Sequence, residues 1–372
     1  MKRIALAAGL AACLGLFAAP SIWADDTTII RHDPKGGKDV VLSGVIQDET
    51  PAGIKVKAGK DSEVIPPDQI AHVSYNLKAV SSIEFDTPYA KEQDALALKG
   101  DERKAKLAEA LTLYQNLEKK VKESPNAQRY IDYRIAMLKV EQAKDDPTKA
   151  DEAVAAINDY RTSNSGGWEI VPATKAAATL LEDKGDQAGA REAYKALADN
   201  PDVPADIRLA TNLLVARMLL REKKYADAEQ TLKGVAAGMK PDDPQRAYVN
   251  VYLASTQVAQ GRLKEAEQPL QDAIKAPGDD NLKALAYNAL GDYYQQSKQP
   301  EEAFWDYLRV DTLYPQDREE HARALYNLWK LFDSVRGDAG RSRECLDKLK
   351  ALTGTDYAAR AEKETAGDKK TP

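Results

Sequence analysis

The sequence is poor in cysteine. Its 372 residues contain only Cys13 and Cys345, and Cys13 lies in an N-terminal stretch with the features of an export leader. A mature chain without that stretch cannot form an internal disulfide, although export would permit one. Cys345 stands close to Leu346 and Leu349 in a helical pattern, which predicts a small buried residue of a helical core.

Patterns that carry catalysis are also lacking. The three histidines lie in separate segments, and neither Cys-x-x-Cys nor His-Glu-x-x-His spacing predicts a metal site. Lys38 follows Gly36-Gly37 but precedes Asp39, so this is not a phosphate-binding loop. No Gly-x-Ser-x-Gly elbow occurs. We therefore predict a protein that is not an enzyme and binds no cofactor or metal, with an enzyme of unrecognised site as an alternative.

Positive charge is not in excess. The formal net charge is −6, and residues 25–80 hold nine acidic residues, seven basic residues and one aromatic residue, Tyr75. A protein that binds single-stranded nucleic acid needs a basic groove and stacking rings. We therefore predict no nucleic-acid partner.

Residues 1–24 have the composition of a signal peptide. Lys2-Arg3 supply the positive start, residues 4–19 form an apolar run, and Ile22-Trp23-Ala24 is an approximate cleavage site. The run is short for a membrane span, so we expect no span after signal removal and a periplasmic or cell-envelope location. An uncleaved anchor and lipidation at Cys13 are the two alternatives.

Residues 25–80 have the pattern of short β-strands. Val40, Leu42, Gly44 and Ile46 alternate with polar or smaller residues, and further short strands follow between turns that contain glycine or proline. Because an open sheet of this size hides little core, the segment is predicted to form a small closed β-barrel. It resembles Sm-like barrels. Residues 81–87 are predicted to be a linker.

Residues 284–317 contain a spaced signature of aromatic and small residues. Seven positions stand in a fixed order: Tyr287, Leu290, Gly291, Tyr294, Ala303, Tyr307 and Pro315. The first four share one helix face, and the small residues suit two helices that cross closely. This pattern resembles the tetratricopeptide repeat (TPR). The resemblance implies an α-solenoid of helix pairs that binds protein partners.

The small residue at Ala303 recurs earlier in the chain at regular intervals. Stepping back by 37, 38, 38 and 37 residues gives Ala266, Ala228, Ala190 and Ala153. With one pair before this series and one after it, we predict a mainly α chain. It has about seven TPR-like helix pairs over residues 88–356, separable from the β module, and a disordered tail over residues 357–372.

The predicted function is that of a scaffold for protein partners. In a TPR superhelix the first helix of each pair lines the concave face, and its inward positions are predicted to be partner-binding: Lys175, Arg217, Arg221, Asn288, Asp292, Gln295, Tyr326 and Lys330. Arg217 and Arg221 are the strongest candidates, because they stand four residues apart and can grip a carboxylate. The alternative is a cell-wall or polysaccharide reader in which the β module binds and the solenoid is a spacer.

Overall fold

The computed structural model describes residues 27–32, 38–276 and 279–367. The predicted leader and its cleavage site lie outside these ranges. The chain divides into two compact units, of which unit 1 ends at Thr211 and unit 2 begins at Asn212. Among the described residues, no helix is both long enough and apolar enough to cross a membrane.

The strands form one antiparallel sheet in the order β4-β3-β2-β1-β5. They are β1 (Thr27–Arg31), β2 (Val40–Thr50), β3 (Gly53–Ala58), β4 (Asp61–Ile65) and β5 (Ile70–Ser74). Gly53 opens β3 with a φ of +129°, and a Cβ there would lie 2.0 Å from the Ile65 carbonyl oxygen. Within the described ranges β4 and β5 are not paired, so the sheet is open and the predicted closed barrel is wrong.

Helices, rather than strand closure, cover the core of this sheet. Ile29, Val56 and Val73 are fully buried, and they belong to one hydrophobic cluster with Tyr130 and Trp168 of the helical segment. The barrel prediction rested on the assumption that the strands must hide their own apolar face. The sheet and the first helices instead share a core, which argues against the predicted separability of the β module.

Fifteen α-helices follow the sheet in the described part of the chain. They are α1 (Ser82–Leu96), α2 (Gly100–Glu118), α3 (Pro125–Asp145), α4 (Ala150–Ser163), α5 (Ile170–Asp183), α6 (Gln187–Asp199), α7 (Ala205–Arg221), α8 (Tyr225–Gly238), α9 (Arg246–Ala259), α10 (Leu263–Lys275), α11 (Asp280–Gln296), α12 (Pro300–Leu313), α13 (Arg318–Arg336), α14 (Ala339–Ala351) and α15 (Asp356–Gly367). Helices α1 and α2, α3 and α4, α5 and α6, α9 and α10, α11 and α12, and α13 and α14 pack as pairs, and α7 and α8 follow one another between them in the chain. The predicted mainly α fold with about seven helix pairs is confirmed.

Both ends of the helical segment differ from the sequence prediction. Helix α1 begins six residues before Pro88, because the Ser81 hydroxyl group accepts the Glu84 backbone N–H and caps the helix. The predicted linker over residues 81–87 is therefore helical. At the other end, α15 occupies most of the predicted disordered tail, since Ala358 and Ala361 are buried in the core of unit 2. Residues 368–372 lie outside the described ranges.

The turn between the two helices of a pair recurs with one backbone conformation. Gly185, Lys223 and Gly261 have φ values of 80°, 60° and 77°, and Lys298 has 59°. Each stands at the same place before the second helix. Glycine adopts this left-handed conformation without strain, whereas lysine does so at a cost. The repeated turn keeps consecutive pairs in the same geometry.

Candidate functional site

The close crossing of α11 and α12 lies at Gly291. A Cβ placed there would stand 2.6 Å from ring atoms of Tyr307, and both Tyr307 and Ala303 are fully buried. The Tyr307 hydroxyl group donates to Asp292 and accepts from Gln295 Nε2 at 2.9 Å. Gly291 therefore allows the tyrosine to pack between the two helices.

The other signature residues lie around this crossing. Leu290 is buried, and the ring of Tyr287 stacks on Tyr314 with 5.6 Å between centroids. The ring of Tyr294 packs edge-on against Tyr293. Pro315 lies in the turn after α12, where the chain leaves the helix. These side chains belong to the helix packing.

Three residues of the predicted recognition row make contacts within unit 2 instead. Asn288 is fully buried, and its Nδ2 donates to the backbone oxygen of Glu320 at 2.8 Å and to Glu320 Oε2 at 2.9 Å. Asp292 accepts from Arg323 and from Tyr307. Gln295 is exposed, but Nε2 also donates to Asn327 at 3.2 Å. Burial makes Asn288 unavailable to a partner, whereas a binding role for Asp292 and Gln295 stays a prediction.

Helix α15 contacts two more positions of that row. Tyr326 is 3% exposed and donates to Glu364 Oε1 at 2.6 Å. Lys330 Nζ lies 2.8 Å from Glu364 Oε2 and 4.6 Å from the centre of the Tyr326 ring. Both residues contact α15, but only Tyr326 is buried, whereas Lys330 stays exposed. Lys175 is exposed on α5 and belongs to unit 1, whereas the other seven row residues belong to unit 2.

One of the two predicted arginines, Arg217, lines a cleft within unit 2. Its volume is about 610 Å³, and Arg217 of α7, Asn281 of α11, residues 316–319 and residues 353–355 line it. The cleft is wide and open to solvent. Asp317 caps α13 on one wall, where Oδ1 accepts the backbone N–H groups of Glu319 and Glu320. The cleft is therefore polar and carries both signs of charge.

Arg217 is the cation of this cleft without a direct protein partner. Its guanidinium group makes no hydrogen bond or ion pair to any residue in the described ranges. Burial alone would lower the pKa of Arg217, but Tyr252 and the three acidic residues at the start of α13 outweigh burial and raise the pKa. The group therefore stays charged, with its donors available to an acceptor inside the cleft.

The neighbouring arginine, Arg221, already pairs with carboxylates of the chain. Arg221 Nε lies 2.7 Å from Asp356 Oδ2, and Nη2 lies 3.6 Å from Glu319 Oε1. Sequence reasoning found both arginines but missed the residues around them, which come from segments that begin 64 residues after Arg217, at Asn281, and extend to Asp356. The available signals were a cap, Asp317 directly before Arg318-Glu319-Glu320, and a turn at Thr353-Gly354.

Unit 1 contains a second polar cluster, which is buried between the sheet and the helices. Arg129 of α3 binds Glu49 of β2 and lies 3.0 Å from Glu169 Oε2. Glu49 also accepts from the Tyr75 hydroxyl group at 3.0 Å. Burial raises the pKa of Glu169 to about 7 despite the nearby Arg129. Two buried carboxylates thus share one guanidinium group.

The buried histidine of unit 1 has structural partners. His72 ring nitrogens lie 2.7 Å from the Tyr130 hydroxyl group and 2.9 Å from Asp86 Oδ1, and the ring stacks on Tyr89. Burial lowers the pKa of His72. Among the described residues, no group of three or more histidine, cysteine, aspartate or glutamate side chains could hold a metal ion.

Known proteins resemble this chain in structure but not in sequence. No protein-family model matches the sequence, and no curated protein matches it. A tetratricopeptide repeat protein from Parabacteroides merdae superposes with a TM-score of 0.52 at 15% identity, over 75% of this chain and 98% of that one. PilW, a type IV pilus biogenesis factor, superposes with a TM-score of 0.39 at 17% identity, over 62% of this chain and 97% of PilW. The first of these likenesses shows that the chain has a tetratricopeptide-like fold.

Proposed function

We propose that the protein is a non-catalytic, exported scaffold of the bacterial envelope that holds a protein partner at the cleft of unit 2. Export is supported by the composition of residues 1–24. The solenoid fold supports a binding role, because stacked helix pairs present extended concave surfaces to partners. The cleft is a specific candidate place for such binding within unit 2.

The observation that carries the proposal is the charged guanidinium group of Arg217 inside the cleft. The nearby acidic residues already have other partners: Asp317 caps α13, Glu319 pairs with Arg221, and Glu320 accepts from Asn288. A guanidinium group offers five donors in a fixed fork that matches a carboxylate. An aspartate or glutamate side chain of the partner is therefore the group that Arg217 would bind.

No observation on the sheet favours the alternative of a cell-wall reader. The core side of the sheet is covered by helices of unit 1, and the cleft with the unpaired arginine lies in unit 2. The scaffold proposal accounts for that cleft, whereas a spacer would not need it.

The test is capture of a partner from the native envelope after chemical crosslinking. We expect Arg217→Glu to abolish a capture that the unchanged full chain shows, because the new carboxylate repels the acidic group. Arg343→Glu is the matched control, since Arg343 is exposed on α14 outside the cleft and the change in charge is the same. Equal capture by both variants would contradict the proposal, provided that their circular dichroism melts agree.

A further inference from the structure

The segment over residues 353–356, here called the strap, lies across one side of the cleft between α14 and α15. Gly354 makes the turn with a φ of +83°. Residues 353–355 line the cleft, and Asp356 begins α15. The strap therefore forms a wall of the cleft and also leads into the helix that contacts Tyr326 and Lys330.

Side-chain contacts to two other helices hold the strap in place. Arg318 Nη2 of α13 donates to the Thr353 backbone oxygen at 2.9 Å. The Asp356 backbone N–H donates to Glu319 Oε1 at 3.3 Å. Arg221 of α7 pairs with the Asp356 carboxylate at 2.7 Å. The last contact links the C-terminal end of α7 with the start of α15.

The contact between Arg221 and Asp356 resembles the contact expected of a ligand. Arg217 and Arg221 are four residues apart on α7, so their side chains share one helix face. In the structure Arg221 has a carboxylate from the chain itself, whereas Arg217 has none among the described residues. Asp356 thus pairs with Arg221, which is one of two neighbouring arginines that an acidic segment of a partner could bind at the same time.

We propose that the strap is an internal competitor for the cleft: an acidic segment of the partner binds Arg217, takes Arg221 from Asp356 and so releases the strap. This inference rests on the proposed function and adds its regulation. The exchange replaces one carboxylate on Arg221 by another, and the displaced Asp356 carboxylate, which is already partly exposed, returns to solvent. Arg221 is 42% exposed and Asp356 is 53% exposed, and ion pairs this exposed are weak. The competitor can therefore be displaced.

Affinity for a defined acidic peptide tests the competition. The probe is a fluorescent, N-acetylated and amidated peptide of alternating aspartate and glutamate, and the asparagine and glutamine version is its neutral control. Binding to the full chain is followed by fluorescence anisotropy at low salt. We expect Asp356→Asn to bind the acidic peptide about two- to fivefold more tightly, the range that an exposed ion pair allows.

The matched control is Glu364→Gln, which removes the same charge from the same helix. Glu364 pairs with Lys330 and accepts from Tyr326, so this variant loosens α15 without freeing Arg221. If Asp356→Asn and Glu364→Gln bind the acidic peptide with the same affinity, the strap proposal is wrong but the proposed function still stands. If the unchanged chain binds the acidic peptide and Arg217→Glu abolishes this binding, the result supports the proposed function. If no variant binds the peptide, both proposals are wrong.

A second measurement follows the strap directly. Hydrogen exchange of the backbone amides of residues 353–358 should become faster when saturating acidic peptide is added to the unchanged chain, because release breaks the contacts to Glu319 and Arg221. Exchange that stays the same or slows while the peptide binds would overturn the proposal. Such a result would mean that the ligand binds beside a closed strap.

Discussion

The substitution Gly291→Ala should destabilise unit 2, although replacing glycine by alanine inside a helix usually stabilises the folded protein. The new Cβ of Gly291→Ala would lie 2.6 Å from Tyr307 Cε1 and Cζ, whereas ordinary contacts begin at 3.4 Å. The ring has little freedom to move away, since Tyr307 is fully buried and hydrogen-bonded to Asp292 and Gln295. Overpacking of this kind lowers the free energy of unfolding by about 1–3 kcal/mol. The higher helix propensity of alanine raises it by about 1 kcal/mol relative to glycine. We expect a net loss of about 1 kcal/mol.

The matched variant is Gly234→Ala on α8. Gly234 is exposed within the helix, and a Cβ there meets nothing within 4 Å. This variant should gain about 1 kcal/mol from helix propensity alone. The free energies of unfolding come from urea titrations followed by circular dichroism at 222 nm. The difference between the two variants is then the packing cost, about 1–3 kcal/mol, and equal shifts would refute the close crossing of α11 and α12.

Two further predictions concern unit 1. The folded-state pKa of Glu169 is about 7, against 4.5 for a free glutamate, so the folded chain binds more protons between these values and stability falls as the pH rises through this window. Glu169→Gln should flatten that part of the urea-midpoint profile, and an unchanged slope would contradict the assignment. A chain that begins at Ser81 loses Ile29, Val56 and Val73 from the shared core. It should melt with reduced cooperativity or precipitate, whereas a sharp melt of the remaining helices would show that the sheet is dispensable.

The helix pairs could be predicted from the sequence because their determinants are local. A helix face repeats every three or four residues, and the small residue of each crossing returned at steps of 37 or 38 residues. The repeated turns at Gly185, Lys223 and Gly261 stand at the same distance from these positions, and they share the left-handed conformation. Alternation with period two likewise located short strands in the N-terminal segment.

The features that the sequence did not predict correctly depend on contacts between residues that are far apart in the chain. Alternation predicts a strand with one buried face, but it does not say whether other strands or helices cover that face. The tail over residues 357–372 is polar on average, and its composition does not reveal that Ala358 and Ala361 are buried in the core of unit 2 or that α15 packs against α13 and α14. Asn288 occupies a predicted binding position, but Glu320 lies 32 residues later and binds it.

The central claim is that the cleft of unit 2 contacts a protein partner, and site-specific photocrosslinking in the native envelope tests it most directly. A photoreactive amino acid replaces Gln316, which lines the cleft, or Asp347, which is exposed on α14 outside it. We predict that light produces a discrete crosslinked protein band from position 316 and that Arg217→Glu in the same chain removes it. No band from position 316, or an equal band from position 347, would contradict the account.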